Sequence, residues 1–283
     1  MCRFTLYQGP PLRISALVTE PRNSLIHQSF NASEREEPLN GDGFGLAWYA
    51  PGLSEEPGLF RSVTPAWNNA NLLRLANVVE SPCILAHVRA ATQVRSVGEV
   101  NCHPFTQGRH AFMHNGDLGG FLEIRRPLIE TLSDGPFHAI QGLTDSEHLF
   151  ALFLERIVRD GEPESVQALA DRLRHTVDDA LALVERHAPG EYSYLNLAVT
   201  NGRESVATRF TTDPDDDGES LYLHRGRTYV CEDGVCHMIE PKRGEGAVLV
   251  SSEALSDDPG WEAIPRNRLV TISADGACVL SAL

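Results

Sequence analysis

Residues 144–190, TDSEHLFALFLERIVRDGEPESVQALADRLRHTVDDALALVERHAPG, decide the fold class. Thr144 followed three residues later by Glu147 is a capping-box signature, and Leu149, Phe150, Phe153, Leu154, Ile157 and Val158 then recur at helical spacing. A second run, Val166, Leu169, Leu173, Val177, Leu181 and Val184, marks one face of another helix, which Pro189-Gly190 ends. Each helix carries a single apolar stripe and is therefore expected to pack on a sheet rather than stand free.

Outward from these helices the period falls to two. Upstream, Cys2, Phe4 and Leu6 alternate with Arg3, Thr5 and Tyr7, so a strand begins almost at the terminus. Further strands are expected at 44–50, 83–89 and 111–115, and downstream at 194–200, 206–210, 221–224, 247–252 and 268–272. The order strands, two long helices, strands is an α+β pattern without alternating βαβ units. With no internal repeat and no linker rich in Pro, Gly or Ser, residues 1–283 are expected to form a single domain; the 34–37 and 213–217 stretches read as surface loops.

Composition narrows the function. The 283 residues are 42% hydrophobic and 22% charged, with mean hydropathy −0.22, inside the range of globular proteins. A net charge of −15 at pH 7 argues against nucleic acid as a partner, because that affinity rests on a basic footprint. No run approaches the length of a membrane span, and the N-terminus has no apolar signal core, so no membrane association and a cytoplasmic location are expected. Six cysteines are too sparse for a disulfide scaffold, and Cys231 and Cys236 read as free or buried thiols rather than zinc ligands. Neither a metal nor a cofactor is expected: His87, His103 and His114 lack ligand spacing, and Asp213, Asp215, Asp217 and Gly218 start a calcium-like loop that His224 and Pro214 spoil.

Several residues admit a chemical reading beside a plain one. Cys2 is either a small apolar residue opening a strand or, once Met1 is removed, a residue whose thiol and α-amino group are nucleophile and base together. His114-Asn115-Gly116 follows a short apolar strand and is either an Asn-Gly hairpin turn or an amide and backbone N–H able to stabilise an oxyanion. Arg89 is a salt-bridged surface residue or a carboxylate clamp. Asp145 is a dipole-favoured acid or the receiver of a substrate ammonium. Asn40-Gly41-Asp42-Gly43-Phe44-Gly45 is a turn into a strand and a weak phosphate cradle, with no helix following it.

Taken in order, Met1-Cys2-Arg3-Phe4, the Asn40–Gly45 stretch, Ala86-His87-Val88-Arg89-Ala90-Ala91-Thr92, Asn101-Cys102-His103-Pro104-Phe105, His114-Asn115-Gly116 and Thr144-Asp145-Ser146-Glu147 resemble the class II glutamine amidotransferases. The resemblance is dense to about residue 150. Beyond it, Ser193-Tyr194-Leu195-Asn196 and Val250-Ser251-Ser252-Glu253 echo the stand-alone members, those of the ergothioneine pathway and of glutathione degradation. Leu39 and Asn40 stand where synthase-linked members carry Arg-Gly, and Ala90 where an aromatic often follows the arginine.

The resemblance implies an N-terminal-nucleophile hydrolase fold, a four-layer αββα sandwich with two antiparallel sheets. It implies Cys2 as nucleophile, Asn115 and the Gly116 N–H as oxyanion hole, and Arg89 and Asp145 as clamps for the α-carboxylate and α-amino group of a small-molecule γ-glutamyl substrate. Thr92, His103 and His114 would support the pocket. The implied activity is hydrolysis of a γ-glutamyl amide through a thioester on Cys2. The alternatives are a glutaminase subunit passing ammonia to a separate synthase and a non-catalytic partner subunit, so a partner subunit or a homo-oligomer is compatible with the reading.

Overall fold

The structure, a computed structural model, describes residues 2–34, 38–90, 98–232, 234–242 and 246–283. Elements are numbered in chain order. One sheet has seven strands in the order β13 (Glu262–Ala263), β9 (Tyr222–Gly226), β12 (Ala247–Ser251), β1 (Arg3–Arg13), β4 (Glu80–Val88), β2 (Phe44–Trp48) and β3 (Gly58–Ser62). The other has six, in the order β15 (Cys278–Ala282), β14 (Arg268–Ile272), β8 (Ser205–Arg209), β7 (Tyr194–Thr200), β6 (His110–Asp117) and β5 (Phe105–Gln107). A separate hairpin pairs β10 (Thr228–Glu232) with β11 (Val235–Ile239). The strand pairs described are antiparallel.

Side-chain alternation stacks these sheets. Phe4 and Leu6 of β1, Leu85 of β4 and Val248 and Val250 of β12 meet Ala111 and Met113 of β6, Ala198 of β7 and Val270 of β14 in a core between the sheets. The opposite faces are covered by helices. Tyr7, Leu46, Ile84 and Leu249 pack with Leu17 of α1 (Ser15–Val18), Leu25 of α2 (Leu25–Asn31), Leu72 of α3 (Ala70–Ala76) and the β10–β11 hairpin. Phe112, Leu197, Val206 and Leu269 pack with α4 (Phe121–Glu130), α6 (Asp145–Asp160) and α7 (Val166–His187), and α5 (Asp134–Ala139) lies between α4 and α6 in the chain. The result is the expected αββα sandwich, and the fold is that of an N-terminal-nucleophile hydrolase.

The two long helices are those expected from the period change. Thr144 caps α6, its side chain accepting from the Glu147 N–H at 3.2 Å. The Glu147 carboxylate accepts instead from Gln141 N (2.9 Å) and Gly142 N (2.6 Å), tying the preceding loop to the helix.

One sequence expectation is corrected, and one of two open readings is decided. Cys231 and Cys236 are not free thiols but a disulfide, because β10 and β11, which carry too little alternation to be recognised, pair in a register that sets these residues directly opposite each other. The Asn115-Gly116 pair is not a hairpin turn: both residues lie inside β6, opposite Asn196 and Leu195 of β7.

Candidate active site

The site lies at one end of the sandwich. Arg3 pairs with Val88 across β1 and β4, so continuing one step in that antiparallel register brings Cys2 level with Arg89. The Cys2 Sγ is 3.7 Å from the Ala90 carbonyl. Cys2 shares the parity of Phe4 and Leu6, and Asn115 shares that of Ala111 and Met113, so both are directed toward the space between the sheets.

Arg89 is held by its backbone, its N–H donating to Gly43 O (2.8 Å) and its carbonyl accepting from Asp42 N (2.9 Å). The Asn40–Gly45 stretch therefore frames the arginine rather than a phosphate. Gly45 is required by close approach, since a Cβ there would lie 2.1 Å from the His103 carbonyl oxygen. Arg89 is buried and lines the cavity, which removes the surface salt-bridge reading.

Three histidines support this end of the sheets. His87 and His103 stack with centroids 4.2 Å apart, and the His87 Nε2–H points at the His114 carbonyl at 3.3 Å. Burial pushes His87 down to about 3, and it pushes His103 well below its ordinary value. Both rings are thus neutral beside the Arg89 guanidinium, which avoids packing like charges together. His114 Nε2 faces the Tyr194 carbonyl at 3.0 Å, which makes that nitrogen the protonated one, while Nδ1 meets Ser146 Oγ at 3.0 Å.

Asp145 stands in the first turn of α6. Its Oδ2 accepts from Leu118 N (2.9 Å), and its Oδ1 accepts from Ser146 N (2.7 Å) and Ser146 Oγ (3.2 Å). It is both a helix-start acid and a wall of the cavity. Gly116 has φ +152, and a Cβ there would sit 1.8 Å from the Tyr194 carbonyl oxygen, so only glycine fits between β7 and the cavity.

The Asn115 side chain is fully buried, and among the described residues neither its Nδ2 nor its Oδ1 has a hydrogen-bond partner. Leaving a buried amide unpaired costs about 1–3 kcal/mol, and such a cost is tolerated where the group serves a ligand. Cys2, Arg89, His103, His114, Gly116 and Asp145 line one cavity of about 290 Å³. Asn115 precedes Gly116 in β6; Thr92 lies outside the described residues.

The structure adds residues that the motifs did not single out. Ser146 tethers Asp145 to His114, and the Leu118 N–H fixes the aspartate. Asp117, Phe121, Leu122, Glu123 and Leu143 complete the walls. The Asp117 carboxyl is raised by burial first and by the Asp145 charge second. Ser146 lies inside the Thr144–Glu147 motif without a role assigned to it there, and Asp117 directly follows Gly116; the α4 residues carried no chemical signal in the sequence.

The family model for class II glutamine amidotransferases matches residues 18–282. The chain belongs to this family. Relatives similar to it include the probable glutamine amidotransferase DUG3 of Saccharomyces cerevisiae, 39% identical over 292 residues, covering 96% of this chain and 82% of that protein. The gamma-glutamyl-hercynylcysteine sulfoxide hydrolase of Mycobacterium tuberculosis is 27% identical over 277 residues, covering 98% of this chain and 94% of that one. Among solved structures, a glutamine aminotransferase class-II domain protein from Silicibacter pomeroyi superposes with a TM-score of 0.65 at 26% identity, over 100% of this chain and 99% of that one. The fold is also shared with glutamine phosphoribosylpyrophosphate amidotransferase from B. subtilis, TM-score 0.60 at 15% identity, where this chain matches 49% of that protein. This class II amidotransferase is accordingly an N-terminal-nucleophile enzyme with amidohydrolase chemistry. Among its described residues no helix is long and apolar enough to cross a membrane.

Proposed function

We propose that the chain, acting as one domain over residues 1–283, hydrolyses a γ-glutamyl amide through a thioester on Cys2. The Cys2 thiol loses its proton to the α-amino group of the same residue, and Sγ attacks the γ-carbonyl carbon. The oxyanion is received by the Asn115 Nδ2–H and the Gly116 N–H. The α-ammonium then returns the proton to the amide nitrogen, the C–N bond breaks, and a γ-glutamyl thioester and a free amine result. Water, deprotonated by the α-amino group, attacks the thioester and releases glutamate and the thiol. Arg89 holds the substrate α-carboxylate and Asp145 its α-ammonium throughout, with His103, His114 and Thr92 supporting the pocket.

The observation that carries this reading is the buried Asn115 amide, unpartnered among the described residues and preceding Gly116 at a cavity lined by Cys2, Arg89 and Asp145. The names of the relatives, one a glutamine amidotransferase and the other a gamma-glutamyl hydrolase, support the same substrate class. The test is glutamate release by the purified protein from glutamine and a panel of γ-glutamyl amides, with hydroxylamine added to trap the acyl enzyme. Release by the chain alone, with a γ-glutamyl hydroxamate formed in the trap, is the expected result. Release only with an added protein would favour a glutaminase subunit, and no release in any setting would favour a non-catalytic one.

A further inference from the structure

The 250–253 motif, which takes no part in the cavity, grips the first residues of β1 one after another. Ser251 Oγ lies 2.8 Å from Thr5 Oγ1. Ser252 Oγ accepts from Phe4 N at 3.0 Å, and Ser252 N donates to Phe4 O at 2.9 Å. Glu253 Oε1 accepts from Arg3 Nε at 2.8 Å.

Arg3 is the residue on which this grip converges. Its side chain is 0% exposed, and its NH1 donates both to the Cys2 carbonyl at 2.9 Å and to Glu219 Oε2 at 2.8 Å. Glu253 is itself immobilised, accepting from Ser33 N, Ser33 Oγ, Glu34 N and Asn23 Nδ2. The segment carrying Glu219 is held by Asn196, whose Nδ2 donates to Glu219 O (3.0 Å) and Ser220 O (3.2 Å). Thus both downstream motifs, 193–196 and 250–253, end on one guanidinium, and that guanidinium ends on the backbone of Cys2.

A buried ion pair adds little net stability, because desolvation consumes most of the attraction. Its value here is geometric. With Met1 removed, Cys2 has no upstream chain to orient it, yet its thiol and its α-amino group must both face the scissile carbon. Fixing its carbonyl fixes the peptide plane from which those two groups project.

We infer that Arg3, held between Glu253 and Glu219, is a positioning residue that sets the orientation of the N-terminal nucleophile. The inference rests on the reading of Cys2 as that nucleophile. It is tested by steady-state kinetics on a γ-glutamyl amide with Glu253→Gln and Glu219→Gln, both of which leave residues 1–3 unchanged. A misplacement of about 1 Å at a reacting group costs up to about a hundredfold in rate. Glu253→Gln is therefore expected to lower kcat about tenfold or more with KM within about twofold of wild type, since Arg89 and Asp145 are untouched. Glu219→Gln, whose carboxylate is 16% exposed, is expected to give a smaller fall of about threefold, again in kcat; it carries the test if Glu253→Gln does not fold. A folded variant with wild-type kcat, or a rise in KM at constant kcat, overturns the positioning role. Full turnover by Cys2→Ala would instead overturn the nucleophile, so the two failures are told apart.

Discussion

Cys2 and Cys102 both lie toward the end of the sheets that carries the cavity, and their surroundings separate them. Cys102 is buried, its Sγ directed at the Ser62 and Gly98 carbonyls at 3.6 Å each, and burial pushes its thiol up to about 11. A thiol so poorly ionised is a weak nucleophile. Cys2→Ala is expected to abolish turnover while Cys102→Ala keeps it within a few-fold; a dead but folded Cys102 variant beside a fully active Cys2 variant would reverse the assignment. Intact mass of the active protein is expected to lack Met1, since the α-amino group must be free. At the proposed clamps, Arg89→Lys replaces a fork of donors by a single ammonium point, and Asp145→Asn removes the charge proposed to face the substrate ammonium. A hydrogen bond to a charged group is worth about 1.5–3 kcal/mol, so kcat/KM is expected to fall about tenfold to a few hundredfold in each variant. Unchanged kcat/KM in Arg89→Lys would remove the arginine from substrate binding.

At the scale of elements, the close packing of β2 and β4 against the 101–105 segment makes two testable demands. Gly45 in β2 has no room for a Cβ, which would meet the His103 carbonyl oxygen at 2.1 Å. Gly45→Ala is expected to destabilise the fold by about 1–3 kcal/mol or more, read as a lower urea midpoint, because the neighbour is backbone and must shift. His87 in β4 supplies a pH dependence. Burial holds its folded-state value down at about 3 against an ordinary 6.5. Below about pH 6.5 the unfolded chain binds a proton there that the folded chain refuses, so stability is full above pH 6.5 and falls as pH drops toward 3. The slope from this one group is at most about 1.4 kcal/mol per pH unit. Urea unfolding of wild type and His87→Asn between pH 6.5 and 4.5 is expected to show a shallower loss in the variant; equal slopes would mean that the ring is protonated in the folded state.

Across the whole molecule, the cavity has two unlike halves. One is assembled from β-strand ends and the α6 N-terminus, where Arg89 and Asp145 are fixed by backbone hydrogen bonds. The other is walled by Phe121, Leu122 and Leu143, of which Leu122 and Leu143 are exposed. Discrimination is expected to lie on the glutamyl side, because an analogue lacking the α-amino or α-carboxylate group forgoes the charge-assisted contact proposed for Asp145 or Arg89. Such analogues are expected to lose about a hundredfold or more in kcat/KM, whereas changes of the amine cost less. A strong preference for one amine with indifference to the α-amino group would place the selectivity on the other wall.

Local pattern was enough for the long helices, for β14 at Arg268–Ile272 and for β7 at Tyr194–Thr200, because their periodicity is uninterrupted. It was not enough for α4, which contains Pro127, or for α5, which contains Gly135 and Pro136, nor for the β10–β11 hairpin and its disulfide. The site was legible as motifs in order, and Cys2, Arg89, His103, His114, Gly116 and Asp145 do meet at one cavity. Left open by the linear order was what fixes each of them: the Tyr194 carbonyl on His114, the Leu118 N–H on Asp145, and Glu253 on Arg3, 250 residues away. Periodicity and capping act over a few residues and are written into the chain directly. The contacts that fix His114, Asp145 and Arg3 join segments distant in sequence, and they exist only once the two sheets have stacked and their registers are set.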